Sequence, residues 1–184
     1  MLLTLAYCAD GYFQYIFFYW IYYYFGEVRH IGVSETATYT TVVFVTMGIM
    51  MPIGGWISDR LTQSYGAKFG RRIVPIVGLC GGALFLYVGT ITAGIGAMVL
   101  SLSLATGLAS WCEGPFWALA IEIAGPQVGS AGGILNTGGN VGGFIAPILT
   151  PYIASRAGWS WGLYAGCLVA MLGVIACYFV DPTE

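Results

Sequence analysis

An acidic residue, Glu113, lies inside an apolar stretch of this sequence, next to a Gly-Pro pair at residues 114–115. In a membrane helix, Glu113 would lie roughly 13 Å deep at 1.5 Å per residue, where a carboxylate costs several kcal/mol unless it is paired, protonated or hydrated. Pro115 has no N–H for the carbonyl of Trp111, which loosens the helix beside the acid. With Trp117 as an aromatic wall, the pattern predicts a solute- or proton-binding site. The alternative is a buried acid whose hydrogen bonds come from nearby hydroxyls or amides.

A second acid, Asp10, lies at a similar depth in the first apolar stretch, with Gln14 one helical turn further on. If the two stretches pack together, Asp10 and Glu113 would share a cavity and a proton. The alternative places Asp10 nearer the lipid headgroups, because the start of the first stretch is not sharply defined.

Two asparagines, Asn136 and Asn140, are four residues apart and therefore share one face of a helix. Asparagine in a membrane helix either bonds to a neighbouring helix or binds a ligand, and the spacing leaves both readings open. Glycines in the same stretch also pair at a spacing of four, such as Gly138 with Gly142. Such pairs predict close contact with neighbouring helices.

The composition indicates the elements that must hold these residues. The 184 residues are 58% apolar and 8% charged, whereas a soluble domain carries about 25% charged residues. A membrane helix needs about 20 apolar residues. We therefore predict an all-α membrane protein with a single six-helix domain over residues 1–184. The predicted spans are residues 2–25, 39–57, 73–91, 96–121, 128–155 and 161–180.

The connection at residues 58–72, predicted as a loop, contains most of the positive charge. Four of the six Lys and Arg residues lie there. The positive-inside rule makes this loop cytoplasmic, and six spans then place both termini in the cytoplasm. Asp59 at a helix C-terminus opposes the helix dipole and needs a cation or another helix N-terminus as partner. We expect a gating motif that latches moving parts, formed by Gly55, Asp59, Arg60, Arg71 and Arg72.

A weak internal similarity links the end of the second span to the end of the fifth. Pro52-Ile53 followed by residues 56–60 resembles Pro147-Ile148 followed by residues 152–156. Because these ends lie on opposite sides of the membrane, the similarity predicts an inverted repeat of three plus three helices.

Several classes of function are disfavoured by the residues. The net charge of −2 argues against nucleic acid as a partner. All five cysteines lie in apolar stretches without a CxxC pair, and the single histidine, His30, lies in a polar connection, so we expect no metal and no cofactor. HExxH and GxSxG motifs are absent from the sequence, which disfavours an intramembrane enzyme with catalytic residues.

The motifs together resemble a known family. Gly55, the Asp-Arg pair at 59–60 and the Gly-Arg-Arg run at 70–72 resemble the cytoplasmic signature of the major facilitator superfamily, with a longer spacing than usual. The run at residues 113–117 and the Gly- and Asn-rich run at 132–143, followed by Pro147, resemble the carboxy-terminal half of its anion:cation symporter branch. That branch includes sugar-acid permeases. The likeness covers essentially the whole chain, in the order of helices seven to twelve.

This resemblance implies import of a small organic anion with a proton, or with Na⁺, by alternating access in the plasma membrane. It carries over Gln14, Glu113, Trp117, Asn136 and Asn140 as cavity residues, and it implies an amino-terminal six-helix half as partner. It also implies that Asp59 latches onto a helix of that other half. The alternative is a self-associating six-helix channel or structural module, or an inactive truncated product.

Overall fold

The computed structural model describes residues 1–180, and almost all of them are helical. Short turns separate some of the helices: a π-helical turn at Tyr24–Val28 and 3₁₀ turns at Ser110–Cys112 and Gly125–Gln127. The prediction of an all-α fold is confirmed. The helices are α1 (Leu2–Tyr23), α2 (Val33–Tyr65), α3 (Ala67–Ile91), α4 (Ile95–Ala109), α5 (Glu113–Ala124), α6 (Val128–Ala157) and α7 (Trp159–Phe179).

The helices extend beyond the predicted spans at their polar ends. Helix α2 begins at Val33 and ends at Tyr65, and α3 begins at Ala67, so the stretch 58–72 is helical except at Gly66. The prediction of a loop there is wrong, because the polar residues up to Tyr65 continue α2 and those from Ala67 begin α3. Gly66 makes the break: its φ of 87° is in the left-handed region, and its N–H still donates to the carbonyl of Thr62 at 2.9 Å.

The predicted interruption beside Glu113 is present, but it lies one turn earlier than the Gly-Pro pair. Helix α4 ends at Ala109, a 3₁₀ turn covers Ser110–Cys112, and α5 begins at Glu113. The Ser110 hydroxyl lies in this turn, 2.7 Å from the carbonyl oxygen of Gly107 and 3.2 Å from that of Met47 on α2. Pro115 lies in the first turn of α5. Backbone N–H groups in the first turn have no partner within the helix, so the missing N–H of Pro115 costs no helical hydrogen bond.

Helix α1 is the central helix of the bundle and packs against α6 and α7. Its large side chains Phe13, Ile16 and Phe17 are buried. The contact with α6 is backbone to backbone: a Cβ on Gly142 would collide with the carbonyl oxygen of Cys8 and lie 2.8 Å from the N atom of Tyr12. Glycine on α6 therefore allows the two helices to approach closely, as the glycine spacing predicted.

Within residues 1–180, four helical stretches are long and apolar enough to cross a membrane, judged by length and composition. The third of them contains α4, α5 and α6 with the two 3₁₀ turns between them. Large apolar side chains such as Trp56, Phe144 and Trp161 are exposed on the bundle surface, as lipid contact requires. The described chain is thus a multi-helix membrane protein, while the arrangement as six spans stays a prediction. The stretches are Val33–Tyr65, Ala67–Ile91, Ile95–Ala157 and Trp159–Phe179.

Candidate functional site

A cleft of about 230 Å³ lies between α1, α2, α5 and α6. Four of the residues predicted from the sequence line it together: Gln14, Glu113, Asn136 and Asn140. Aromatic and methionine side chains form the rest of its wall, and Gly11 and Gly139 contribute backbone. The wall side chains are Tyr7, Tyr15, Phe18, Met47 and Met51.

Glu113 is the centre of a hydrogen-bonded chain that crosses from α5 to α1. Its Oε1 accepts from Nε2 of Gln14 at 3.2 Å, and its Oε2 accepts from the Tyr7 hydroxyl at 3.0 Å. The Tyr7 hydroxyl in turn accepts from the indole Nε1–H of Trp117 at 3.2 Å. Both carboxyl oxygens of Glu113 are therefore held by neutral donors, so the side chain is fixed without an ion pair. Such a carboxyl keeps the freedom to gain or lose a proton.

Asp10 lies behind this chain and does not line the cleft. Its side chain is fully buried, and Oδ2 accepts from Gln14 Nε2 at 2.8 Å. Asp10 Oδ1 has no hydrogen-bond partner among the described residues. Asp10 and Glu113 were expected to share a cavity. They share a hydrogen-bond donor instead, because the side-chain amide of Gln14 donates to both carboxyl groups.

The two asparagines lie across the cleft on α6. Both side chains are exposed in this chain, and Nδ2 of Asn140 donates to the backbone carbonyl of Asn136 at 2.8 Å. They make no side-chain hydrogen bond to α1 or α5 within the described residues, and both line the open cleft. Trp117 lies outside the main cleft and lines a neighbouring groove with Gly55 and Pro52, which Glu113 also borders.

The ionisable side chains that line the cleft can contribute negative charge only. Among the described residues that line it, Glu113 is the only ionisable carboxyl, and Lys, Arg and His do not occur. The cleft therefore offers amide and hydroxyl groups and one acid, but no positive charge of its own.

A second cluster lies where α2 ends and α3 begins. Arg71 pairs with Asp59 of α2 at 2.5 Å and with Glu122 of α5 at 2.9 Å, and it also donates to the hydroxyl of Ser58. The Ser58 hydroxyl donates to the carbonyl of Gly70 at 3.1 Å. The Asp59 carboxylate thus pairs with a cation of this chain, and Asp59 lies within α2, which continues to Tyr65, rather than at the helix C-terminus predicted from the sequence.

The other predicted gating residues lie nearby without joining this ion-pair cluster. The guanidinium of Arg60 stacks over the Trp56 ring at 5.4 Å, and that of Arg72 stacks over the Tyr178 ring at 5.4 Å. Gly55 is a packing residue, since its Cα would lie only 2.9 Å from a Cβ on Gly114. Close contact between α2 and α5 therefore depends on Gly114, because a Cβ on Gly55 would meet no atom within 4 Å.

Two residues of these clusters were not singled out from the sequence. Tyr7 bonds to Glu113, and its spacing of seven from Gln14 places both on one face of α1, so the signal was available. Glu122 bonds to Arg71 over 51 residues of chain, for which no local spacing rule exists.

The sequence comparison decides the family. Residues 3–184 match the profile of the Major Facilitator Superfamily. The chain belongs to this superfamily. The resemblance inferred from the motifs is therefore confirmed at the family level.

The relatives within the superfamily are transporters rather than enzymes. The chain is 30% identical to the probable sulfoacetate transporter SauU of Cupriavidus necator, over 98% of this chain and 43% of that protein. It is 27% identical to the hexuronate transporter of Bacillus subtilis, over 96% of this chain and 43% of the relative. The D-galactonate transporter of Escherichia coli is 24% identical over 85% of this chain and 36% of its own length. The chain thus spans less than half the length of these relatives.

The fold agrees with this assignment. It is similar to a solved structure of a bacterial homologue of the human drug peptide transporters PepT1 and PepT2, with a TM-score of 0.81 over 96% of this chain and 40% of that chain. The sequence identity is 17%, so the likeness shows the superfamily fold alone.

Proposed function

We propose that this chain forms the carboxy-terminal, six-helix half of a secondary active transporter that imports small organic anions such as sugar acids together with protons. The observation that carries the proposal is the hydrogen-bonded chain from Glu113 through Gln14 to Asp10 at an open cleft. The named relatives that carry sulfoacetate, hexuronate and galactonate support the substrate class.

The proton is assigned to the two carboxyls that share Gln14. Glu113 borders the cleft, where a substrate or water reaches it, and Asp10 is sealed behind it. Because the only hydrogen-bond donors to them are neutral, protonating either acid breaks no salt bridge within the described chain. A change in access to the cleft then changes the cost of charging Glu113, which couples its proton to the conformational cycle. Na⁺ is the other ion that a carboxylate would attract, and the experiment below separates the two.

The substrate's negative charge needs a partner outside this chain. The described cleft contains amides and hydroxyls but no cation, so it suits the polar, uncharged end of a hydroxy acid. An amino-terminal half facing the same cleft would supply the positive charge. Two halves around one cavity would also shield Glu113, Asn136 and Asn140 from lipid.

The ion pairs of Arg71 are the contacts that we assign to gating. They connect α2, α3 and α5 at one end of the bundle through a single guanidinium. Making and breaking these pairs as α2, α3 and α5 shift against one another would favour one orientation of the cleft over the other. We place this end, and both termini, on the cytoplasmic side of the plasma membrane, because Arg60, Lys68, Arg71 and Arg72 lie here.

The test is transport by a chimera. This chain replaces the matching segment of the hexuronate transporter of Bacillus subtilis, and uptake of labelled hexuronate and galactonate is measured in cells that lack other carriers. We expect uptake that rises with an imposed proton gradient and does not need Na⁺. Glu113→Gln should abolish the gradient dependence. Glu35→Gln, which removes an exposed carboxylate at the start of α2, is the matched control and should have no effect.

Two results would contradict the proposal. A chimera that inserts at the level of the parent transporter but carries neither substrate would remove the transporter assignment. Crosslinked oligomers of the chain that conduct ions without substrate would favour a self-associating channel instead.

A further inference from the structure

A groove at one end of the bundle is lined by cations and tyrosines above an apolar floor. It lies where α2 and α7 end and α3 begins, and its volume is about 490 Å³. Lys68 and Arg72 supply the cations, and Tyr65 and Tyr178 supply the aromatic hydroxyls. The groove shares no lining residue with the cleft around Glu113, so it is a separate site.

Arg72 determines the chemistry of this groove. Its guanidinium lies over the ring of Tyr178 at 5.4 Å, and its Nε donates to the backbone carbonyl of Cys177 at 3.4 Å. Within residues 1–180, no carboxylate pairs with Arg72, whereas the neighbouring Arg71 is held by two. Arg72 is therefore oriented by a ring and a backbone carbonyl, and its positive charge is not neutralised by either of them.

The floor of the groove is an apolar strip along α3. Phe69, Ile73 and Ile76 follow one another at spacings of four and three, which places them on one face of the helix. Phe69 is 47% exposed although its whole side chain is apolar. The strip starts beside the cations and continues away from the polar end of α3, toward the middle of the membrane helix. A small soluble anion would bind at the cations and leave this apolar strip uncovered.

We propose that this groove binds an anionic phospholipid, with the phosphate at Arg72 and Lys68 and one acyl chain along Phe69, Ile73 and Ile76. Basic pockets between membrane helices at the cytoplasmic surface recognise anionic headgroups, and a guanidinium matches the geometry of phosphate oxygens. Tyr65 and Tyr178 lie at helix ends, where tyrosine occupies the level of the headgroups. The charge and the apolar strip are both needed, and a phospholipid is the membrane component that carries both.

The experiment measures lipid retention by native mass spectrometry of the purified 184-residue chain in detergent. The chain is mixed with equal amounts of phosphatidylglycerol and phosphatidylcholine. We expect the wild type to retain phosphatidylglycerol in preference. Arg72→Gln should lower this retention about fivefold, since one basic residue near the surface contributes about 1 kcal/mol and about 1.4 kcal/mol is a factor of ten.

The matched control is Arg156→Gln. Its guanidinium also stacks on a tyrosine, Tyr152, at 5.2 Å, but it lies in the last turn of α6 and does not line the groove. We expect this variant to retain phosphatidylglycerol as the wild type does. Circular dichroism and the elution volume of each variant establish that it is folded.

Other occupants are distinguished by further arms of the same experiment. Equal retention of the two lipids by the wild type, or equal losses in Arg72→Gln and Arg156→Gln, would overturn the proposal. Displacement of the lipid by glycerol phosphate at matched concentration would show a phosphate site that needs no acyl chain, and would also overturn it. If phosphatidylglycerol is retained only by the double variant Asp181→Asn/Glu184→Gln, the acidic end of this chain occupies the groove instead of a lipid.

Discussion

Replacing Gly142 with alanine tests the close contact between α1 and α6 that forms one side of the cleft. An added Cβ would lie 2.8 Å from the N atom of Tyr12 and 2.9 Å from the carbonyl carbon of Cys8, and closer still to the carbonyl oxygen of Cys8. Ordinary contacts begin at 3.4 Å, so the contact with the Tyr12 N atom alone requires the helices to separate by about 0.6 Å, and the closer contact with the carbonyl oxygen of Cys8 requires more. All three atoms belong to the backbone of α1, so no side-chain rotation relieves the collision.

The expected cost follows from these contacts. Overpacking costs about 1–3 kcal/mol, and a backbone collision belongs at the upper end of this range. Alanine recovers about 1 kcal/mol over glycine in a helix, which leaves a net loss of about 2 kcal/mol. For a chain of this length that lowers the unfolding temperature by roughly 4–8 °C.

The assay is thermal unfolding of the purified chain in detergent, followed by tryptophan fluorescence. Gly133→Ala is the matched control on the same helix, because a Cβ there meets no atom within 4 Å. It should leave the unfolding temperature unchanged or raise it by about 2–4 °C. A Gly142→Ala variant that unfolds at or above the temperature of Gly133→Ala would refute the proposed packing of α1 on α6.

Four further substitutions test the hydrogen bonds and ion pairs. Gln14→Leu removes the donor to both Asp10 and Glu113 and should lower the unfolding free energy by about 2–4 kcal/mol; denaturant unfolding checks this, and a loss under about 1 kcal/mol would argue against the shared amide. Tyr7→Phe removes one hydrogen bond to Glu113 and the acceptor for the Trp117 indole N–H. It should lower the unfolding free energy by about 1 kcal/mol and change the fluorescence emission of Trp117. An unaltered emission spectrum would contradict these contacts. Arg71→Gln breaks both ion pairs and should slow uptake by the chimera more than Asp59→Asn, because the exposed Asp59 pair contributes less than about 1 kcal/mol; equal rates would show that the second pair, to Glu122, has no role.

The sequence was sufficient to predict the class of fold but not the ends of its elements. A low charge content and long apolar stretches identify membrane helices, and the extra glycines indicate close helix contacts. Hydropathy reports which residues lie in lipid and does not report where a helix stops, so the helical residues 58–65 were predicted as a loop. Gly66, with its left-handed φ, was the local signal for the break.

The candidate site divides in the same way. Spacings of four predicted that Asp10 and Gln14 share a face, as do Asn136 and Asn140, because helix geometry is local. The bonds between helices are not local. The contact of Tyr7 with Glu113 spans 106 residues, and that of Arg71 with Glu122 spans 51, so both depend on packing that one sequence does not encode in any spacing. The sequence analysis predicted that Asp10 shares a cavity with Glu113. In the structure Asp10 is buried behind Gln14 instead, and this position also depends on packing between helices.

The most direct test of the central claim, that Glu113 exchanges a coupling proton at the cleft, is a proton-movement measurement. The chimera is reconstituted in vesicles that contain a pH-sensitive dye, and sugar acid is added outside without a pH gradient and with Na⁺ absent. The account predicts acidification of the lumen on substrate entry, and none with Glu113→Gln while Glu35→Gln behaves as the wild type. Substrate entry with an unchanged lumen pH, or acidification that persists in Glu113→Gln, would contradict it.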